Sequence, residues 1–172
     1  MFQVFLQLTV IMFSFSTATQ LNVGDKAPDF NLKDQDGKMV SSASIYGKEI
    51  VVLYFYPKDD TPGCTKEACS FRDNFTAFTD AGVRVIGVSA DSPKSHKAFA
   101  NKYNLPYTLL SDSKNELRKA FGVKGDIFGL IPGRVTFVID KQGVIRHMFD
   151  SQAQAEKHIE ESLKAIKELQ GD

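Results

Sequence analysis

Two cysteines, Cys64 and Cys69, are the residues of this sequence best suited to chemistry, because they lie five positions apart at the start of a predicted helix. The unpaired amides and the dipole of a helix N-terminus favour an anion. The first-turn position of Cys64 therefore favours the thiolate, the nucleophilic form of cysteine. Pro62 and Gly63 directly before it let the backbone turn tightly and leave the sulfur approachable. The pattern predicts a cysteine nucleophile that a small oxidant can reach.

The spacing of the two cysteines also predicts how they interact. In a regular helix, residues i and i+5 have Cα atoms about 8.7 Å apart. A disulfide requires less than about 7 Å between the two Cα atoms. Cys64 and Cys69 can therefore bond only when the first turns of the helix unwind. This distinguishes the pair from a C-x-x-C motif, whose thiols bond with little rearrangement.

A buried strand and an amphipathic helix are expected to position Cys64. Residues 50–56 form an almost continuous run of β-branched and aromatic side chains, which predicts a central strand buried on both faces and ended by Pro57. Apolar residues at helical spacing predict a helix over 65–79, terminated before Gly82. Ligands of α/β sheets bind beyond the carboxyl ends of the strands, where residues 57–64 lie. The chemistry is expected at that junction.

The rest of the chain alternates between strand and helix patterns. The further predicted elements are, in chain order, a hairpin of 29–32 and 38–40 around Asp36-Gly37, a strand over 83–88, a helix over 92–103, a strand over 107–110, a helix over 115–121, a hairpin of 134–139 and 144–149, and a helix over 154–169. Together they predict an α/β fold in which helices flank a mixed central sheet that carries an N-terminal β-hairpin. This order is compatible with a thioredoxin-like fold.

Length and charge limit the class of protein. The chain has 172 residues, 42% of them hydrophobic, which fits one well-cored domain that we expect to span 21–172. Lys and Arg together number 21, as do Asp and Glu. No excess of positive charge is available to neutralise phosphates or to hold the chain on an anionic membrane. We therefore expect neither a nucleic-acid partner nor a stable membrane association.

Residues 1–20 read as a segment outside the fold. Residues 1–15 are largely apolar and uncharged, and Ser16-Thr17-Ala18 then provides small residues suited to cleavage. Against a signal peptide, no basic residue precedes the apolar run, which is also short for a membrane span. Two alternatives stay open. The segment is a cleaved targeting signal, for the secretory route or for a plastid including its lumen, or it is an uncleaved extension of a cytoplasmic protein.

The residues around the cysteines resemble a known family. Pro57-x-x-x-Thr61-x-x-Cys64 matches the active-site signature of the peroxiredoxins, and the Cys64 to Cys69 spacing is similar to that of the peroxiredoxin Q or bacterioferritin comigratory protein subfamily, with the plant plastid branch closest. The resemblance covers residues 22–169. Its other matching stretches are 24–30, 52–57, 98–110 and 132–140.

The resemblance implies a role for each residue of the site. Cys64 would attack the peroxide oxygen and become a sulfenic acid, and Cys69 would resolve it as a disulfide. Thr61 would hydrogen-bond the sulfur and the bound peroxide, and Pro57 would shield the site from water. Arg134 would reach across from a later strand, where its permanent charge supports both the thiolate and the oxygen under attack.

The resemblance also implies the partners of the reaction. Hydrogen peroxide and organic hydroperoxides would be the substrates, and a thioredoxin-type protein would be the reductant. No metal, haem or flavin cofactor would be needed. The protein would be a monomer, and its physiological role would be antioxidant defence and redox homeostasis.

Less specific interpretations remain for the same residues. Free cysteines are commonly inert core residues, a lone arginine is commonly a surface charge, and Thr61 and Pro57 fit an ordinary loop. Glu67 is explained by helix capping as well as by catalysis, so we leave it out of the predicted site.

Two other functions stay open. The first is a thiol-disulfide oxidoreductase, which the four residues between Cys64 and Cys69 disfavour. The second is a redox-sensing or chaperone-like protein whose helix unwinds on oxidation.

The histidines, His96, His147 and His158, lie far apart with no zinc-site spacing, which argues against a metal centre.

Overall fold

The apolar run at 50–56 forms β3 (Ile50–Phe55), whose six residues are all buried. Our computed structural model describes residues 21–125 and 131–171. The predicted targeting segment, 1–20, therefore lies outside the described residues. The other strands of the described chain are β1 (Asn31–Asp34), β2 (Met39–Ser41), β4 (Val83–Ser89), β5 (Thr108–Ser111), β6 (Val135–Ile139) and β7 (Ile145–Asp150).

Within the described ranges, these seven strands form one mixed sheet in the order β2-β1-β5-β4-β3-β6-β7. The strand β3 pairs in parallel with β4 and antiparallel with β6. The strand β4 occupies the middle position and β3 lies beside it. The predicted N-terminal hairpin corresponds to β1 and β2, and the predicted second hairpin to β6 and β7. The α/β fold class with its mixed sheet is confirmed.

Helices cover both faces of this sheet. They are α1 (Pro62–Asp73), α2 (Phe75–Asp80), α3 (Pro93–Tyr103), α4 (Glu116–Ala120) and α5 (Lys157–Gln170). Side chains alternate along β3, so that Val52 and Tyr54 pack with α1, α2, α3 and α5, whereas Val51 and Leu53 pack on the opposite face with α4 and the N-terminal segment. None of the helices in the described residues is both long enough and apolar enough to cross a membrane.

The helix predicted over 65–79 differs from the structure. It begins earlier, at Pro62, and divides at Asn74 into α1 and α2. Asn74 has a non-helical backbone (φ −102°, ψ 9°), and its side-chain amide donates to the carbonyl oxygen of Ser70 at 2.9 Å. Asparagine competes for backbone hydrogen bonds in this way and disfavours a helix interior. Apolar spacing cannot detect the interruption, because the buried residues Phe71 and Phe78 keep their helical phase.

Candidate active site

Cys64 lies where the chain passes from β3 into α1. Thr61 is the N-cap of α1, with an extended backbone, and Pro62 occupies the first turn, where its missing N–H costs nothing. Cys64 is in that first turn, as predicted, and only 2% of the residue is exposed. The sulfur is thus placed where the helix N-terminus favours an anion.

Arg134 brings a positive charge to the sulfur. It directly precedes β6, and its Nη2 lies 3.4 Å from the Sγ of Cys64 across 70 positions of sequence. The same guanidinium donates from Nη1 to a carboxylate oxygen of Glu67 and from Nε to the carbonyl oxygen of Gln152 at 3.3 Å. A Cβ on Gly63 would lie only 3.2 Å from Nη2, so the glycine leaves room for the arginine beside Cys64.

Glu67 shares Arg134 with Cys64. Its side chain is completely buried on α1. Burial raises the pKa of Glu67 to about 8, although the charge and hydrogen bond of Arg134 oppose the shift. Burial also acts to lower the pKa of Arg134, but the negative charges of Glu67 and Cys64 outweigh it and raise that pKa. The guanidinium of Arg134 thus stays charged between Glu67 and Cys64.

The second carboxyl oxygen of Glu67 faces His158 on α5. Its Oε1 lies 3.6 Å from Nδ1 of His158, which in turn lies 2.7 Å from Oγ1 of Thr136. Nε2 of His158 lies 2.9 Å from the carbonyl oxygen of Ser151, which can only accept, so Nε2 carries the hydrogen. Burial lowers the pKa of His158 to about 4, which makes the ring neutral at neutral pH. Polar groups of α1, β6 and α5 thus meet behind Cys64.

Arg118 on α4 provides a second buried cation. Its Nη1 and Nη2 donate to the carbonyl oxygens of Gly133 and Tyr56, both at 2.8 Å. Burial lowers the pKa of Arg118 against the opposing charges of Asp112 and Cys64. These two hydrogen bonds connect two parts of the chain through Arg118. One is Gly133, directly before Arg134, and the other is Tyr56, directly after β3.

The remaining predicted site residues lie around the same helix end. Cys69 is on α1, partly buried, and both thiols are free. The hydroxyl of Thr61 donates to the carbonyl oxygen of Lys58 at 3.1 Å rather than to the sulfur. Pro57, at the end of the β3 segment, is partly buried. The structure therefore brings Arg134 onto Cys64, and it leaves Cys69 one and a half turns away on an intact helix.

Comparisons with known proteins show the family of this chain. The AhpC/TSA family model matches residues 23–148. Two relatives described as chloroplastic peroxiredoxin Q, from Arabidopsis thaliana and Populus jackii, are 59% and 55% identical over 148 and 150 residues. These alignments cover 86% and 87% of this chain and 68% and 70% of the relatives. This chain belongs to the AhpC/TSA family, in its peroxiredoxin Q branch.

Solved structures give the same result for the fold of this peroxiredoxin. Peroxidoxin BcpB from Mycobacterium tuberculosis superimposes with a TM-score of 0.81 at 34% identity, covering 87% of this chain and 99% of that one. A mutant of PrxQ from Xylella fastidiosa superimposes with a TM-score of 0.80 at 31% identity, covering 88% and 99%. The fold is thioredoxin-like, and the protein is a peroxidase and an oxidoreductase.

Sequence reasoning left Glu67 out of the site of this peroxiredoxin and did not identify Arg118. A signal for Glu67 was available, because it lies three residues after Cys64 within the apolar stripe of α1 that includes Ala68 and Phe71. A carboxyl group in such a stripe needs a partner, and Arg134 is that partner. No comparable signal exists for Arg118, because its burial follows from the packing of α4 beneath the loop before β6.

The histidines of this peroxiredoxin occupy separate places. His158 lies behind Glu67, His96 is buried on α3, and His147 on β7 lies 3.4 Å from Glu161. Among residues 21–125 and 131–171, no group of three or more His, Cys, Asp and Glu side chains is arranged to hold a metal ion.

Proposed function

We propose that this chain reduces hydrogen peroxide and organic hydroperoxides with Cys64 as the nucleophile. The Cys64 thiolate attacks the terminal oxygen of the peroxide, an S–O bond forms, and the O–O bond breaks. The sulfur is oxidised to a sulfenic acid and the peroxide is reduced to an alkoxide or hydroxide, which takes up a proton to give an alcohol or water. No metal or organic cofactor takes part in this step.

The contact of Arg134 with the sulfur of Cys64 is the observation that carries this proposal. A charged guanidinium 3.4 Å from the sulfur stabilises the thiolate, and in this proposal the same charge stabilises the negative charge that develops on the departing oxygen. The N-terminus of α1 adds to the same effect. An inert core cysteine has no need of a buried cation held by Glu67 and a backbone carbonyl.

Thr61 and Pro57 orient the peroxide in this proposal. Since the Thr61 proton is engaged by the Lys58 carbonyl, its Oγ1 is left to accept a hydrogen bond from the hydroperoxide O–H. That bond would point the terminal oxygen at Cys64. Pro57, which has no N–H, would keep water from competing at the same edge.

Cys69 completes the cycle in this proposal. Its thiol attacks the Cys64 sulfenic acid, an S–S bond forms, and water leaves. Because both cysteines lie on α1, the helix must open between them before the sulfur atoms meet. A thioredoxin-type dithiol then returns two electrons and two protons to the disulfide.

Peroxide consumption by the wild-type protein and two variants tests these roles. We expect the wild-type protein to turn over with a thioredoxin system. Cys64→Ser should lose the fast reaction, and Cys69→Ser should reduce one equivalent of peroxide and then stop. A Cys64→Ser variant that kept the wild-type rate would disprove the assignment of the nucleophile. Recycling of Cys69→Ser by thioredoxin at the wild-type rate would exclude Cys69 as the resolving residue.

We further propose a plastid location and a monomeric enzyme. The relatives named chloroplastic peroxiredoxin Q support the location. A fluorescent fusion to the C-terminus of the full chain in plant cells tests it, with fluorescence outside plastids as the contrary result. Sedimentation of the reduced protein at several concentrations tests the monomer.

A further inference from the structure

The loop between β3 and α1 is tied to α3 by two adjacent aspartates, one buried and one exposed. The Asp59 side chain is only 4% exposed, whereas that of Asp60 is 46% exposed. The carboxylate of Asp60 accepts hydrogen bonds from Lys102 Nζ and from the Tyr103 hydroxyl, both at the end of α3. This loop carries Thr61 towards Cys64, so its attachment decides where the peroxide-binding atoms lie.

The carboxylate of Asp59 collects more bonds than an ordinary loop aspartate. The hydroxyl groups of Tyr56 and Ser95 each donate to it at 2.7 Å, and Nδ1 of His96 lies 3.0 and 3.1 Å from its two oxygens. The backbone amide of Asp59 donates to a carboxylate oxygen of Asp91 at 2.9 Å. The residue is thus fixed from the end of the β3 segment, from the first turn of α3 and from the loop after β4.

His96 on α3 holds the carboxylate of Asp59 in place. Its Nε2 lies 3.2 Å from the carbonyl oxygen of Leu110, and its Nδ1 faces the carboxylate of Asp59. The carbonyl oxygen can only accept, so Nε2 of His96 carries a hydrogen and donates to it. Burial acts to raise the pKa of Asp59, but the bonds and charge of His96, with those of Tyr56 and Ser95, lower it. The two side chains form a buried hydrogen-bonded pair.

We propose that Asp59, held by His96 and Ser95, is a positioning residue for the peroxide reaction of Cys64. It touches neither sulfur nor peroxide. It fixes the backbone two residues before Thr61, and so fixes the oxygen that orients the hydroperoxide; this rests on the function proposed above. Such a role affects the reaction with peroxide, which needs aligned partners, more than a reaction that needs only the thiolate.

The test compares two reactions of Cys64 in reduced protein. Oxidation by hydrogen peroxide depends on the oriented oxygen, whereas alkylation by iodoacetamide depends on the thiolate and on access to it but not on that oxygen. We expect Asp59→Asn to lower the ratio of the two rate constants by about 10-fold, within the roughly 100-fold that a 1 Å displacement can cost. Asp60→Asn is the matched control, because asparagine tolerates its left-handed backbone (φ 56°), and should keep the ratio within about 2-fold.

Each outcome decides between the alternatives. An unchanged ratio in Asp59→Asn, or a fall in both rates together, would overturn the positioning role. An equal loss in Asp60→Asn would overturn the assignment to Asp59. If Asp59→Asn does not fold, Ser95→Ala removes a single bond to the carboxylate and should lower the ratio about 3-fold; an unchanged ratio there would overturn the proposal. A wild-type protein that alkylates but does not react with peroxide would instead disprove the proposed function.

Discussion

The two cysteines share one helix but lie in contrasting surroundings. Cys64 is buried in the first turn of the helix and contacts Arg134, which directly precedes β6 and lies 70 positions away in sequence. Cys69 is partly exposed on the next turns, near Arg72 and Tyr107. The nucleophile is built by tertiary contacts that require the folded helix, whereas its partner can act only when that helix opens. The fold therefore has to keep α1 intact for one step and release it for the next.

Loss of Arg134 should give the largest effect on the Cys64 side of this comparison. Arg134→Gln removes the charge beside the sulfur, and we expect the rate constant with hydrogen peroxide to fall about 10²- to 10³-fold. Glu67 then loses its cation, but a carboxyl whose pKa already lies at about 8 can stay protonated, so the fold should persist. The rate of peroxide consumption measures the loss of reactivity, and circular dichroism of each variant shows whether the fold persists.

A matched control is available on β7. The side chain of Arg146 is 45% exposed and pairs with the largely buried carboxylate of Asp140, between β6 and β7. Arg146→Gln should keep the wild-type rate within about 2-fold, since this pair includes neither a cysteine nor Arg134. If Arg134→Gln also kept that rate, the helix N-terminus alone would support the thiolate, and the contrast between the cysteines would not depend on Arg134.

Glu67 should make the stability of the Cys64 side depend on pH. Its pKa is about 8 in the folded protein against 4.5 ordinarily, so its contribution is fully present below pH 4.5 and is lost as the pH rises through 8. Glu67→Gln mimics the protonated carboxyl and removes this term. We expect the variant to gain stability over wild type between pH 5 and 8, by a few kcal/mol as an order of magnitude. Urea unfolding at several pH values measures the difference.

His158 gives the stability a pH dependence of the opposite sign, so the effects of His158 and Glu67 can be measured separately. Its pKa is lowered to about 4 from 6.5, so its contribution is present above pH 6.5 and is lost as the pH falls through 4. Glu67→Gln should leave that acid loss in place. The exposed Glu160→Gln on α5 should keep the wild-type dependence over the whole range. A stability difference that did not grow between pH 5 and 8 would show that Glu67 is ionised in the folded protein.

The cysteine half of the site was within reach of sequence reasoning, since it depends on local features. The first turn of α1, its Pro62 and the strand before it are all encoded within about fifteen residues, and local patterns of this kind are readable. The hairpin at Asp36-Gly37 and the helix capped by Ser92 are local in the same way.

The cation half of the site was not derivable from local pattern. The approach of Arg134 to Cys64 depends on the antiparallel pairing of β6 with β3, which spacing does not specify, and it was expected only from family resemblance. The burial of Arg118 and the pairing of Asp59 with His96 depend likewise on how α4 and α3 pack. The division of α1 from α2 was missed because a side-chain hydrogen bond of Asn74 decides it.

Substitution of Tyr107 should give the smallest effect on the reaction. It tests whether α1 has to open before Cys69 can react with Cys64. The hydroxyl of Tyr107 donates to the carbonyl oxygen of Ala68 at 2.8 Å, directly before Cys69, and accepts from the Tyr54 hydroxyl at 3.2 Å. Tyr107→Phe removes the bond to the helix, worth about 0.5–1.5 kcal/mol, while Tyr54 loses its partner in the closed and the opened helix alike. Opening of α1 should therefore become about 2- to 10-fold easier.

Disulfide formation after one equivalent of peroxide measures that opening. Samples are quenched with an alkylating agent at successive times and analysed by mass spectrometry. The time course gives the rate at which the sulfenic acid is converted into the disulfide. We expect the decay of the sulfenic acid to be faster in Tyr107→Phe, with the first oxidation of Cys64 unchanged. Tyr46→Phe is the control, because its hydroxyl donates to the carbonyl oxygen of Pro28 on the opposite face of the sheet. If both variants kept the wild-type decay, helix opening would not limit disulfide formation. The contrast between the two cysteines would then lie in their surroundings and not in a requirement of Cys69 for an opened helix.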